Sequence, residues 1–421
     1  MAKRRTSTTA QRALNAVSAT LSLGTGVTTF CVVYLGLITG FATRRAFRGE
    51  APAIAPSTTR CFAVLVPAHN EEAVIERALK SFRSLDYPDD AFEVHVVADN
   101  CSDRTAQVVS ASGFHIHERN EPEPPGKGPA LNWLLDRLAA DGRAFDSVVI
   151  VDADTTVHPA FLKEVARALD GGAKAVQGQY LVRDASQSTA AALRFAALAC
   201  RHHLRPLGRT AIGGSSGLYG NGMAFDTEII RGRQWTGHLI EDMEFQIDLL
   251  LDGQRVSYVP TARLEAEMPH NLAAAKSQNE RWELGRMQLA RRSLPSLARR
   301  LRIGSPHLRV AYADAMMDQL VPPLSILIAA DAIALVGAAA LQLLGSSRIN
   351  RLTMRLAAVS STILGLHVLA GLRSVHAPAA VYRALLSAPR LVLWKVVLLV
   401  RITIRPQDVT WQRTPRNEQP S

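Results

Sequence analysis

Cysteine is scarce in this chain, with four among 421 residues at positions 31, 61, 101 and 200. None sits in a C-x-x-C pair, which argues against a disulfide framework or a cysteine-ligated zinc site and suits a reducing compartment. Aromatic residues amount to only 6% and are not interleaved with the basic runs. No recognised nucleic-acid motif is present either, so the net charge of +11 points to an anionic membrane surface and not to nucleic acid. A G-x-G-x-x-G after the first apolar strand segment is missing, which disfavours a dinucleotide-dependent oxidoreductase. The G-x-x-x-x-G-K-[ST] spacing of a phosphate-binding P-loop is missing too.

Long apolar runs are there instead. Val17–Ala42 contains no charged residue, enough to cross a bilayer, which takes roughly 20 apolar residues. Arg44, Arg45 and Arg48 follow it, so an uncleaved anchor is expected in preference to a signal peptide. Lys3, Arg4, Arg5 and Arg12 precede it, and this near balance leaves orientation open. Residues 49–60 form a Pro/Ala/Ser/Thr linker. Near the other end, Leu320–Leu344 and Leu352–Leu372 are two further spans joined by a turn at 346–351, with Asp331 acceptable if it faces a helix interface. Arg286–Arg309 is a basic amphipathic segment expected on the membrane surface, and Tyr382–Ile404, with Arg383, Arg390, Lys395 and Arg401, is expected to be interfacial in preference to spanning. The tail after Arg405 is polar.

Between the anchor and those spans lies an α/β rhythm of strand, acidic loop and helix. Cys61–Val66 reads as a buried strand closed by PAHNEE, where Asn70 can cap a helix over 71–85. Phe92–Ala98 is a second strand ending at Asp99, and Phe114–His117 a third. Pro122, Pro124 and Pro125 break it before Gly126-Lys127-Gly128, whose lysine at a helix start suits a phosphate. Val148–Val151 is apolar enough to be buried on both faces and stops at Asp152-Ala153-Asp154, two carboxylates at the sheet edge where ligands bind in open α/β folds. They can hold a divalent cation or merely form a solvated turn. Helix 160–169, strand 173–182, an Ala-rich helix 185–205 and the glycine-dense loop 213–222 follow. Glu241 and Asp242 open a helix reaching Leu251; dipole stabilisation is the plain explanation for acids there. A last strand is expected at 255–259, and a helix from His270 places Gln278, Arg281 and Trp282 on one face.

In this order VPAHNE, the Asp99 loop, GKG, DAD, ED and Q-x-x-R-W resemble the membrane-integrated family 2 glycosyltransferases, the group of cellulose, hyaluronan and poly-N-acetylglucosamine synthases. The resemblance implies a GT-A fold, a Rossmann-like nucleotide-sugar sheet, with transmembrane and interfacial helices. It implies that Ala68, Glu71 and Asp99 hold nucleobase and ribose, that Lys127 lies near the diphosphate, and that Asp152 and Asp154 engage the nucleotide sugar through Mg²⁺ or Mn²⁺. Asp242 would be the general base, with Glu241, Gln278, Arg281 and Trp282 at the acceptor and diphosphate. Two departures, Ile240 before Glu241-Asp242 and Leu218–Met223 in place of the synthases' acceptor loop, touch acceptor contacts.

The expected organisation is a tail and anchor (1–48), linker (49–60), catalytic domain (61–270), Q-x-x-R-W and basic helices (271–312), membrane hairpin with an interfacial helix (313–404) and polar tail (405–421). The expected protein is a multi-pass enzyme of the inner (plasma) membrane with its catalytic domain in the cytoplasm. It would use a UDP-linked nucleotide sugar to extend a polysaccharide or, alternatively, to glycosylate a lipid carrier or glycolipid; an inactive assembly subunit is the remaining alternative. Membrane lipids, a homo-oligomer or an export partner complete the expected associations, and nucleic acid is not among them.

Overall fold

A computed structural model describes residues 2–48, 59–121, 126–267, 276–345 and 347–404. The linker 49–58, the prolines at 122, 124 and 125, the helix start expected at His270 and the tail 405–421 lie outside the described residues.

The chain opens with α1 (Ala2–Arg48) and enters the α/β part through β1 (Phe62–Ala68), α2 (Ile75–Phe82), β2 (Phe92–Asp99), α3 (Thr105–Ser112) and β3 (His115–Arg119). It continues through α4 (Lys127–Ala140), β4 (Ser147–Ile150), β5 (Thr155–Val157), α5 (Phe161–Asp170) and β6 (Ala175–Val182). Helices α6 (Thr189–Leu198) and α7 (Arg205–Ala211), strand β7 (Met223–Asp226), helices α8 (Thr227–Ile230) and α9 (Glu241–Leu251), and strand β8 (Val256–Ala266) complete this part. Six helices follow: α10 (Lys276–Ile303), α11 (Arg309–Leu320), α12 (Leu324–Leu344), α13 (Arg348–Ser374), α14 (Ala379–Ala384) and α15 (Ala388–Ile404).

The sheet runs β3-β2-β1-β4-β7-β6-β8-β5. Its first four strands are parallel, so β1, β2 and β4 end at one edge, as their near-continuous apolar sequences require for strands covered on both faces. The sheet is mixed beyond that point, because β7 runs antiparallel to both β4 and β6. The stretch through Asp152-Ala153-Asp154 is thus not one strand: β4 stops at Ile150, and Thr155–Val157 crosses to the far edge to pair with β8. Asn70 does not cap α2, whose N-cap is Val74 without a side-chain bond. Asn70 takes a left-handed φ of 56°, and its Oδ1 accepts from the amides of Ser102 at 2.7 Å and Asp103 at 3.3 Å, tying the loops after β1 and β2 together. The expected 185–205 helix is divided into α6, a π turn over Ala199–Leu204 and α7.

Among the described residues, three helices are long and apolar enough to cross a membrane: Gln11–Arg45 within α1, then α12 and α13. Ser22 meets Thr353, Thr29 meets Ser360 and Thr39 meets His367 at 2.7–3.1 Å. Because both numbers of each pair rise together, α1 and α13 run parallel, with α12 returning between them. Asp331, 2% exposed, accepts a hydrogen bond from Ser361 Oγ across α12–α13, the interface position that makes a carboxyl tolerable there. On its outer side α15 leaves Leu393, Val397, Val400 and Ile404 exposed, the face an interfacial helix would need.

The α/β part is docked on this bundle by α7. Any side-chain carbon at Gly208 would overlap the backbone carbonyl of Ile38 in α1, so the two helix backbones are in direct contact. Replacing Gly208 by Val should force them apart at a cost of about 1–3 kcal/mol and lower the thermal unfolding midpoint of the detergent-solubilised protein. An unchanged midpoint would mean that this contact does not hold the two parts together.

Candidate functional site

Asp152 follows β4 by two residues, at the shared carboxyl edge. The antiparallel neighbour β7 brings the glycine-dense loop across from it. The Asp152 amide donates to Asn221 Oδ1 at 3.1 Å, and the Gly222 amide donates to the Ile150 carbonyl at 2.9 Å. Asn221 Nδ2 in turn donates to Thr155 Oγ1 at 2.7 Å, and Gln177 Nε2 to the Asn221 carbonyl at 2.8 Å. Asn221 and Gln177 are fully buried and hold the turn of the D-A-D loop. Neither stood out in the sequence, where an Asn in a Gly-rich loop looks like ordinary turn chemistry.

Lys127, the first residue of α4, points into the same corner. Its ammonium donates to Asp152 Oδ1 and to the Gly220 carbonyl. Burial alone would lower its pKa, but Asp152 outweighs burial and raises it, so the lysine stays charged. Gly220 has a φ of +75°, and a β-carbon there would stand 3.4 Å from Asp242 Oδ2 and 3.8 Å from Lys127 Nζ. The loop thus reaches Asp242 and Lys127 together only through a residue that accepts this backbone.

Glu241 and Asp242 begin α9. Burial is the main reason that the Asp242 carboxyl is raised to about 7, with the Glu241 charge adding and Lys127 and the amides of Asp242 and Met243 opposing. Glu241 is raised as well, by burial, against Lys127. Dipole stabilisation alone would lower both groups, and burial overrides it here. A carboxyl that gains and loses its proton near neutrality is suited to general-base work.

Helix α10 carries Gln278, Arg281 and Trp282 to this corner. Gly285 lies against Ile240, where an added carbon would be 2.8 Å from Ile240 Cγ2, so α10 crosses directly behind the start of α9. Arg194 of α6, which the sequence reading passed over, joins two of the three: its Nη2 donates to Gln278 Oε1 and its guanidinium lies 4.9 Å from the Trp282 ring centroid. Arg281 faces Glu241 and has its pKa lowered by burial, with Glu241 opposing.

Lys127, Asp152, Glu241, Asp242, Arg281 and Trp282 all line one cavity of about 560 Å³, and Gln278 does too. Part of the remaining lining is an apolar wall. Leu324 and Ile328 of α12, Val368 of α13, Leu391 and Trp394 of α15 and Leu193 of α6 form that wall. Tyr219 and His202, stacked with centroids 4.0 Å apart and planes at 16°, line the cavity as well. Ala68, Glu71, Asp99 and Asp154 are not among its lining residues. Ala68 and Asp99 are the ends of the paired strands β1 and β2; Asp99 Oδ1 accepts from Arg119 Nη1 at 2.6 Å, and the Glu71 amide donates to Thr105 Oγ1 at 2.8 Å.

For a hard divalent cation, Asp152 and Asp154 offer the right donor class, carboxylate oxygens at an accessible edge. Glu93, His95 and His115 also bring ligand atoms within 4.8 Å of one another. However, the His95 and His115 rings are stacked, 4.7 Å apart with planes at 14°, so their in-plane lone pairs do not converge on one ion. Arg143 also donates to Glu93. These residues lie toward the start of β2 and β3, away from the edge that carries Asp152.

Residues 59–285 match the family described as "Glycosyltransferase like family 2". A probable glycosyltransferase, YdaM, of Bacillus subtilis is 28% identical over 228 residues, 53% of this chain and 54% of that protein. A beta-monoglucosyldiacylglycerol synthase of Trichormus variabilis is 26% identical over 274 residues, 62% of this chain and 56% of that protein. The chain thus spans about half the length of the curated relatives it matches. Among solved structures, the mannosyltransferase PcManGT of Pyrobaculum calidifontis, in complex with GDP-Man and Mn²⁺, aligns with a TM-score of 0.53 at 20% identity, covering 85% of this chain and 99% of that one. At that identity the likeness shows the fold, and the α/β sheet is of the GT-A type.

The charge arrangement makes Asp242 a titration reporter. Infrared difference spectra should show a carboxyl stretch disappearing with a midpoint near pH 7, absent in Asp242→Asn. Glu241→Gln removes a like charge and should move the midpoint down, while Lys127→Ala removes a favourable cation and should move it up. A midpoint in the ordinary carboxylate range in all three proteins would show that burial does not act on Asp242.

Proposed function

The chain belongs to glycosyltransferase-like family 2, and from that premise we propose that it is an inverting, metal-dependent transferase working at a membrane surface. It moves a sugar from a nucleotide-diphosphate donor to a hydroxyl acceptor carried by a lipid. The observation that carries this reading is the single cavity in which the Lys127–Asp152–Asp242 corner faces a wall built from helices α12, α13 and α15. An acceptor with an apolar tail can rest on that wall with its hydroxyl at Asp242. A relative named as a glycolipid synthase, which this chain matches over 62% of its own length, supports the same reading.

The chemistry follows from the residues. Asp242, near its titration point at neutral pH, accepts the acceptor proton as the hydroxyl oxygen attacks the anomeric carbon from the face opposite the diphosphate. The configuration inverts, and the nucleoside diphosphate leaves with the electron pair of the broken bond. Lys127 and Arg281 neutralise charge on that leaving group. A divalent cation held by Asp152 and Asp154 would supply further neutralisation. The tips of β1 and β2, with Ala68, Glu71 and Asp99, take the nucleoside. Nucleotide sugars are made in the cytoplasm, so the α/β part faces inward from the plasma membrane, and α1, α12 and α13 span it with the amino terminus on the far side.

Extension of a polysaccharide is the second reading. The observation favouring it is the Gln278–Arg194–Trp282 group, an amide and an indole suited to a sugar ring in a growing chain.

Nucleotide release by the purified protein in native-lipid vesicles, screened with UDP-glucose, UDP-N-acetylglucosamine, UDP-galactose and GDP-mannose, tests the proposal. One donor should be turned over, chelation should abolish turnover and added Mn²⁺ restore it. The rate should rise with pH through about 7, and Asp242→Asn should lower it by roughly 10²–10⁴-fold. A single organic-soluble product supports the lipid acceptor, and a ladder of products the polymer. Full activity in Asp242→Asn sinks the base assignment, and no turnover of any donor sinks the function.

A further inference from the structure

Charge is unevenly divided along the cavity. The corner at Asp152, Glu241 and Asp242 is acidic, whereas the end toward the membrane helices is basic beyond its own needs. There, among the described residues, Arg201, Arg205, Arg209, Arg286 and Lys395 face three carboxylates, those of Asp314, Asp318 and Glu283. Arg209 takes up most of two of them, through Asp314 at 2.8 Å and Asp318 at 3.1 Å. Arg205, 5% exposed, is left 3.9 Å from Asp318, and its Nε has no hydrogen-bond partner among the described residues. Arg286 Nε is 3.8 Å from Glu283, which Lys395 shares at 3.3 Å; that Nε too is buried without a hydrogen-bond partner among the described residues. Arg201 makes no ion pair among the described residues, and its Nη2 reaches only Met243 Sδ, at 3.7 Å.

Two positive charges in excess, largely out of water, are costly unless an anion joins them. Burial lowers the Arg286 pKa to about 10, with repulsion from Arg201 adding to it, and burial lowers that of Arg205 as well. These groups repel one another in the chain alone. Arg201, Arg205 and Arg286 all line the cavity that the apolar wall and Asp242 also line. Met243, which Arg201 touches, is the residue after Asp242.

We propose that Arg201, Arg205 and Arg286 form a binding site for the phosphate of an anionic amphiphile, whose tail lies on the α12–α13–α15 wall and whose head-group hydroxyl reaches Asp242. The inference rests on the transferase reading and narrows it: the acceptor is a phosphate-bearing lipid and not a neutral diacylglycerol or a free glycan. Planar guanidinium groups suit phosphate oxygens, which they can bind in pairs.

Trp282 and Trp394 line the cavity and supply an intrinsic fluorescence probe for the full-length protein in a neutral maltoside detergent. Dodecyl phosphate should bind at least tenfold more tightly than dodecanol, and inorganic phosphate should bind at least tenfold more weakly than dodecyl phosphate. Arg201→Gln and Arg286→Gln should each lose at least tenfold for dodecyl phosphate while leaving dodecanol unaffected. Equal affinity of the wild type for the alcohol and the phosphate overturns the site, and that comparison needs no variant to fold. Inorganic phosphate binding as tightly as dodecyl phosphate overturns the lipid source in favour of a soluble anion. Donor turnover separates the two levels. Turnover without preference for the alkyl phosphate removes this site and leaves the transferase standing; preference without turnover of any nucleotide sugar retains the anion site and removes the transferase reading.

Discussion

The contact on which the rest depends is the buried pair between Arg209 of α7 and Asp314 of α11, with exposures of 1% and 3%. Asp314 Oδ2 accepts from Arg209 Nε at 2.8 Å, and its Oδ1 accepts from Tyr34 of α1 at 2.8 Å. One carboxylate therefore joins a helix of the α/β part, the connector leading into the hairpin, and the first apolar helix. As an ion pair it adds little net stability, since desolvation offsets the attraction, but breaking it strands a buried charge at a cost of about 3–5 kcal/mol. Its effect is to fix one arrangement of the three parts. The cavity lies where the α/β part meets α10, α12, α13 and α15, so its shape depends on the docking that this pair and the backbone contact at Gly208 hold in place.

Within that fixed frame the cavity separates two kinds of chemistry that would interfere if mixed. As a general base Asp242 would need a proton affinity near neutrality, and burial beside Glu241 raises it to about 7. An arginine in direct contact would cancel that effect and make the carboxylate a weak base. Lys127 is committed instead to Asp152 and the Gly220 carbonyl, so its influence on Asp242 is only a partial opposition. Arg194 is drawn away to Gln278 and Trp282. The stacked Tyr219–His202 pair also lines the cavity, and burial holds His202 well below its usual pKa and therefore uncharged.

Much of this was legible in the chain. The parallel strands were readable from β-branched runs that stop at acids, and the long apolar helices from uncharged length. Asp152, the E-D pair and Gln278, Arg281 and Trp282 line one cavity with Lys127, whereas Asp154 of the D-A-D stretch does not. What could not be read depended on pairing across the sheet. The antiparallel β7 is short and follows a loop whose glycines promise only freedom, so nothing local said that Asn221 and Gly220 would brace Asp152 and Lys127. Asn70 follows the usual capping preference, yet its side chain is taken by the amides of Ser102 and Asp103, a contact over thirty residues away. The apolar wall was equally hidden, because each helix that builds it looks complete alone as a membrane element.

The arginines had a periodicity that local reading undervalues. Arg201, Arg205 and Arg209 recur every fourth residue, and on an otherwise Ala-rich helix such a stripe is ordinarily a solvated face. In a regular α-helix, with 3.6 residues per turn, positions four apart drift by about 40° each time, so the first and third would diverge across the surface. The π turn at Ala199–Leu204 has a wider hydrogen-bonded loop and rotates less per residue. It offsets that drift just where Arg201 leads into Arg205. The stripe then points inward as one row, with Arg209 anchored to Asp314 at one end and Arg201 beside Met243 at the other. A defect in helical regularity leads the row from Arg209 in the clamp, through Arg205, to Arg201 beside Met243, the neighbour of the carboxyl that would do the chemistry.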